Sequence, residues 1–221
     1  MTVVVLLGVP GAGKGTQARV LAERLGVPHV ATGDLFRAAV RDGSPVGLEA
    51  RRYMERGQLV PDVITIRMLL DRLAQDDAVD GVILDGFPRN RPQAETLDEA
   101  LAARGSRVDL AVSIEVPADE LVRRLSGRWV CQDSGHVYNE TSNPPRSPGR
   151  CDLDDSALIQ RDDDKAETIR ARLDQQLSSL RDVVDHYRAT GGLRQVDGLA
   201  SIDDVTAAIL AALADDAVGA V

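Results

Sequence analysis

The sequence predicts an α/β fold, a parallel sheet flanked by helices, and three observations carry that prediction. Short apolar runs alternate along the chain with segments of helical periodicity, the pattern of repeated βαβ units. The first run, Val3 to Leu7, passes directly into the glycine-rich stretch from Gly8 to Thr16. A later run, Gly81-Val82-Ile83-Leu84-Asp85, is continuously apolar up to its last residue, as a strand covered on both faces must be.

The elements follow in order. Residues 2–7 are the first strand, and Gly15 to Leu25 the helix after it, stopped by Gly26. His29 to Ala31 is a short second strand. Gly33 to Asp42 and Pro45 to Arg56 read as two helices divided by the breaker Gly43-Ser44-Pro45. A helix is expected over Asp62 to Asp77, then the strand Gly81 to Asp85. A helix over Pro92 to Ala103, a strand over Leu110 to Val116 and a helix over Ala118 to Ser126 complete this part. Residues 127–164 change character, with three of the ten prolines, both cysteines and no helical period. A long segment without elements of its own is expected to be functional, a mobile lid. Asp163 to Tyr187 resumes as a long amphipathic helix, followed by a strand over Leu193 to Val196 and a closing helix over Ile202 to Leu213. Asp215 to Val221 are expected to fray.

A length of 221 residues suits one α/β domain with insertions or two small domains. Aromatic residues make up only 3%, so the core must be built from Val, Leu, Ile and Ala. The formal charge of −9 argues against nucleic acid or an anionic membrane as partner. Met1 leads almost at once into the first strand, and no apolar stretch approaches the roughly 18 residues of a membrane span, so a cytoplasmic location is expected. Two cysteines are too few for a disulfide framework.

The chemistry begins at residues 8–16. A β-branched strand, a glycine-rich turn, one lysine and a helix start make a phosphate-binding loop. The glycines let successive N–H groups of Gly11, Ala12, Gly13, Lys14, Gly15 and Thr16 face a polyphosphate. Lys14 supplies a flexible cation, and the helix N-terminus adds its positive end. The loop departs from G-x-x-x-x-G-K-[ST] in one respect: Gly15 follows Lys14, and the hydroxyl comes at Thr16. Asp85-Gly86-Phe87-Pro88-Arg89 stands at a strand's carboxyl end, where open α/β sheets place their ligand crevice. Asp85 is positioned for the water shell of Mg²⁺, and Arg89 for clamping a phosphate. Arg37, Arg124, Arg128, Arg161 and Arg172 add cations near strand ends and loop edges. Transfer between two polyphosphates needs many fixed cations of this kind.

In order and spacing, the motifs GVPGAGKGTQ at 8–17, ATGDLFR at 31–37, GQLVPD at 57–62, DGFPRNRPQ at 85–93, GRWV at 127–130, HVY at 136–138, NPP at 143–145, RDDD at 161–164 and VDG at 196–198 resemble the adenylate kinases in their long-lid bacterial form. The resemblance covers essentially the whole chain. It implies a P-loop NTPase-type three-layer parallel sheet with AMP-binding and lid insertions: core 1–30, 61–126 and 165–221, AMP-binding domain 31–60 and lid 127–164. It also implies reversible phosphoryl transfer, ATP plus AMP giving two ADP, with Mg²⁺ accompanying ATP, by a monomer that serves purine nucleotide interconversion and energy homeostasis.

Carried over residue by residue, Gly11 to Thr16 match the ATP phosphate site, with Lys14 on the transferring group. Arg124, Arg128, Val137, Tyr138 and Ala200 match further ATP contacts. Thr32, Arg37, Gln58, Leu59, Val60, Gly86, Phe87, Pro88, Arg89 and Gln93 match the AMP site. Arg161 and Arg172 match the arginines that straddle the transferring phosphoryl group. Lys14, Asp85, Arg89, Arg128, Arg161 and Arg172 are therefore the expected catalytic set. Gln93 has both a donor and an acceptor to offer an adenine edge. Closure of the lid would exclude water from the transfer.

Many long-lid relatives carry lid zinc on Cys-x₂-Cys-x₁₆-Cys-x₂-Cys or -Asp. Here those positions hold Cys131, Ser134, Cys151 and Asp154. A serine hydroxyl is a poor zinc ligand, which favours a metal-free lid held by hydrogen bonds around Ser134 and Asp154. Zinc on Cys131, Cys151 and Asp154 with His136 or water as fourth ligand, and a Cys131–Cys151 disulfide, are the alternatives. Two rival functions also stand beside the leading one: GTP:AMP phosphotransfer, and a catalytically inactive nucleotide-binding regulator.

Overall fold

The computed structural model describes the chain apart from residues 57, 162, 163, 165 and 219–221, together with the side chains of 166, 167, 171, 172 and 216–218. Strand β1 (Thr2–Leu7) is the centre of a five-stranded, all-parallel sheet with β2 (His29–Ala31), β3 (Gly81–Asp85), β4 (Leu110–Glu115) and β8 (Leu193–Asp197), in the order β2-β3-β1-β4-β8. Successive residues of β1 point to opposite faces and feed two cores. Val4 and Leu6 pack with Leu21 of α1 (Lys14–Leu25), Leu121 and Leu125 of α6 (Ala118–Ser126) and Ile209 of α8 (Ile202–Val218). Val3, Val5 and Leu7 pack with Leu69 and Leu73 of α4 (Asp62–Leu73) and Leu97 and Leu101 of α5 (Arg91–Ala102). Helix α7 (Ala166–Ala189) contributes to both, with Ile169 and Leu173 on one face and Val183 and Tyr187 on the other. The result is three layers, and each fully buried Val or Leu contributes about 1.5–3 kcal/mol.

Two small cores lie apart from these. Helices α2 (Thr32–Arg41) and α3 (Pro45–Met54) form a hairpin whose Phe36 and Ala50 pack with Val60, Tyr53 and Met68. Its tightness has a steric cause: a Cβ at Gly47 would sit 2.1 Å from the carbonyl oxygen of Ala39, so only glycine fits there. Residues 127–164, expected to lack elements, instead contain a three-stranded antiparallel sheet, β6-β5-β7, of β5 (Arg128–Cys131), β6 (Val137–Asn139) and β7 (Leu158–Ile159). Strands this short carry too few residues for alternation to show. Cys131, Tyr138, Cys151 and Leu158 form its core.

Some boundaries also differ. Helix α4 stops at Leu73 rather than Asp77, and Asp76–Ala78 forms a 3₁₀ turn. There Arg72 pairs with both carboxylate oxygens of Asp77 at 2.8 and 2.7 Å, and Ala78 turns inward to full burial. Helix α8 runs on past Leu213 to Val218, and the expected fraying at 219–221 lies outside the described residues. No described helix is long and apolar enough to cross a membrane.

Candidate active site

The sheet's register brings two loops together. Leu6 of β1 pairs with Asp85 of β3, so the segment after Leu7 and the segment after Asp85 leave the same edge side by side. They leave from carboxyl ends flanking the point where the strand order reverses, the position of the crevice in open α/β sheets. The first segment turns through Gly13, whose φ of 100° is in the left-handed region that favours glycine, and α1 begins at Lys14. Its first turn carries no acidic residue, leaving the positive end of the helix open to an anion. Lys14 Nζ donates to the carbonyl of Val9 at 3.2 Å, which folds the ammonium back over the loop.

Asp85 explains the unusual Gly15. A Cβ at position 15 would lie 3.3 Å from Asp85 Oδ2, so the glycine lets this carboxylate approach the loop. Asp85 Oδ2 is also 3.5 Å from His29 Nε2. Burial pushes the Asp85 carboxyl up, but the adjacent His29 imidazole and the charges of Lys14 and Arg89 outweigh it and hold it below the usual value. The group is therefore an anion beside the phosphate loop.

On one side of Asp85 lies a small cavity of about 50 Å³, lined by Thr32, Arg37, Gln58, Leu59, Val60, Arg89 and Gln93 among others. Thr32 Oγ1 donates to the carbonyl of Gly86 at 2.8 Å, and Arg89 Nε donates to the same oxygen at 2.7 Å. Gly86 and Pro88 face the adjoining larger cavity. Phe87 is a partial correction: its side chain is 1% exposed in the core with Leu97 and Leu101, so any contribution it makes to the site comes from its backbone.

The larger cavity, about 550 Å³, is lined by the loop from Gly8 to Thr16 and by Asp85, Arg124, Arg128, Val137, Tyr138, Arg161 and Ala200. Arg37 and Arg89 line both cavities and so mark their junction. Arg128 is held by both oxygens of the buried Asp164. Arg124 donates to Glu120 at 2.7 Å and to the carbonyl of Gly198 at 2.9 Å. Hydrogen bonds from Arg123 and then Arg124 pull the Glu120 carboxyl down to about 2. Arg161, just after β7, lies 3.9 Å from Asp34, which itself holds Arg37 at 2.5 Å. Arg172 is on α7, but its side chain lies outside the described residues. Gln176, not singled out from the sequence, lines both cavities. Its signal was available, since it stands one helical turn beyond Arg172.

Around the three-stranded sheet, ligand atoms of Cys131, His136, Cys151 and Asp154 all lie within 4.8 Å of one another. The Ser134 hydroxyl lies within the same cluster, 2.9 Å from Cys131 Sγ, 3.9 Å from Cys151 Sγ and 2.5 Å from His136 Nδ1. Both cysteines are free thiols. Burial pushes the Cys131 thiol up, but hydrogen bonds from the Ser134 hydroxyl and the N–H groups of Ser134 and Asp133 outweigh it and hold it below its usual value. Tetrahedral zinc spaces such ligands about 3.3–3.8 Å apart, so two thiols, an imidazole and a carboxylate fit it with small adjustments.

The chain is similar to known proteins over nearly its whole length. The family model described as adenylate kinase matches residues 6–192. The chain is 50% identical over 211 residues to the adenylate kinase of Streptomyces griseus subsp. griseus, covering 95% of this chain and 96% of that one. It is 48% identical over 210 residues to the adenylate kinase of Thermodesulfovibrio yellowstonii, covering 95% and 98%. The figures for the adenylate kinase of Acidothermus cellulolyticus are 48% over 210 residues, with 95% and 97% covered.

Proposed function

The chain belongs to the adenylate kinase family and is a nucleoside monophosphate phosphotransferase, and from that premise we propose how its two cavities divide the reaction. ATP occupies the larger cavity with its phosphates on Gly11 to Thr16, and AMP the smaller one. The observation that carries this reading is that Arg37 and Arg89 line both cavities. A guanidinium at the junction neutralises charge on the donor and acceptor phosphates together, where charge accumulates in the transition state. Lys14 takes the transferring group from the loop side. Arg128 and Arg161 bring cations from the lid, with Arg124 beside them; Arg172 belongs to the same set. Thr32, Gln58, Leu59, Val60 and Gln93 hold AMP, and Val137, Tyr138 and Ala200 flank the ATP base.

The ionised Asp85 beside Gly15 fits a Mg²⁺ ion held through water. Bound there, the ion would neutralise charge on the β- and γ-phosphates. In the lid, His136 offers zinc a fourth donor beside Cys131, Cys151 and Asp154, and hydrogen bonds linking Ser134, Cys131, His136 and Asp154 hold the same cluster together without the metal. Regions 31–60 and 127–164 act as the AMP-binding and lid domains of a monomeric, cytoplasmic enzyme.

A coupled assay for ADP tests the reading. ATP with AMP is expected to give ADP, with little product when CMP or UMP replaces AMP. GTP equalling ATP as donor would reassign the larger cavity. No transfer with any pair would make the chain a nucleotide-binding regulator.

A further inference from the structure

Gln93 is 1% exposed, and it lines the smaller cavity. The two ends of its amide are alike in shape and opposite in hydrogen bonding, so a half-turn would exchange donor for acceptor and invert the base it selects. Two contacts fix the orientation. The backbone N–H of Arg89 donates to Gln93 Oε1 at 2.8 Å, and Gln93 Nε2 donates to Asp62 Oδ1 at 2.6 Å. A backbone N–H only donates and a carboxylate only accepts, so a flipped amide would oppose donor to donor and acceptor to acceptor.

Asp62 is itself fixed. Asn90 Nδ2 donates to both of its oxygens at 3.0 Å, while Asn90 Oδ1 accepts the N–H of Gln93 at 3.0 Å as the cap of α5. Asp62 is the first residue of α4, where the helix N-terminus stabilises a negative charge. It stands behind Gln93 and is not part of the cavity wall.

We propose that Asp62 is a positioning residue that sets base selectivity by locking the Gln93 amide. The proposal rests on the reading that Gln93 faces the acceptor base. With its two internal bonds made, Gln93 keeps one N–H and one lone pair for a ligand. In the locked orientation these meet a 6-aminopurine, which offers an amino donor at position 6 and an acceptor at N1. A 6-oxopurine presents the reverse pair and is rejected.

The test compares kcat/KM for AMP and for IMP, with ATP as donor, in the unmodified enzyme, Asp62→Asn and Gln93→Ala. An asparagine at 62 can donate or accept, so it removes one of the two contacts that reject the flipped amide and leaves the Arg89 N–H as the other. The AMP-to-IMP preference is expected to fall about tenfold in Asp62→Asn, the discrimination carried by one buried hydrogen bond. It should fall at least as far in Gln93→Ala. Asp62→Ala, which removes the acceptor, gives a second measurement if Asp62→Asn folds poorly, and the ratio is independent of the folded fraction. Equal losses toward AMP and IMP in the Asp62 variants would make Asp62 a brace between α4 and α5 and overturn the proposal. An unchanged preference in Gln93→Ala would instead remove the base-reading role of Gln93, and the proposal with it.

Discussion

At Arg89 a single guanidinium faces two cavities while its Nε donates to the carbonyl of Gly86 at 2.7 Å. That carbonyl also accepts from Thr32 Oγ1, so truncating the arginine leaves no buried oxygen stranded. Arg89→Ala should therefore lower kcat by about 10²–10³-fold through lost charge stabilisation, while the urea unfolding midpoint stays close to that of the unmodified protein. Near-normal turnover would dismiss the residue from the transfer step. Lys14, Asp85 and Arg89 were legible because a strand end and a glycine-rich turn mark them locally. The departure at Gly15 was visible in the sequence, but its cause was not. The Asp85 carboxylate that crowds position 15 is 70 residues away along the chain and arrives only through the pairing of β1 with β3.

Among the elements, the main strands and helices were legible because apolar periodicity and glycine or proline breaks run through them. The lid sheet was not, since β6 and β7 are three and two residues long. Its core of two thiols, Tyr138 and Leu158 is small, so zinc bound as proposed would supply a large part of its stability. Protein purified without added zinc should contain about one zinc per chain, the stoichiometry of a closed four-ligand site. His136→Ala should lose the metal, and Ser134→Ala should retain it. Trp129 packs against this core, and its Nε1 donates to Glu140 at 2.8 Å, so chelation should shift its fluorescence. Metal-free protein with unchanged emission after chelator treatment would return the lid to hydrogen bonds alone.

For the molecule as a whole, residues of the 127–164 segment and of the α2–α3 hairpin line one cavity; the first has a small core of its own, and the second packs on Met68 of α4, and on the proposed reading both close over the substrates. Phosphoryl transfer in a single turnover should accordingly be faster than steady-state turnover, with opening or product release as the slow step. Equal rates would place the limit on chemistry. The sequence by itself determined the layered α/β fold, the phosphate loop and the family, because these depend on residues adjacent in the chain and on motifs in a fixed order. The tertiary structure decided which distant side chains meet: Asp85 against Gly15, Arg89 between two cavities, His136 and Asp154 beside the two thiols, and Asp62 behind Gln93. Contacts of this kind depend on strand register and helix packing, which bring together groups that no local pattern links.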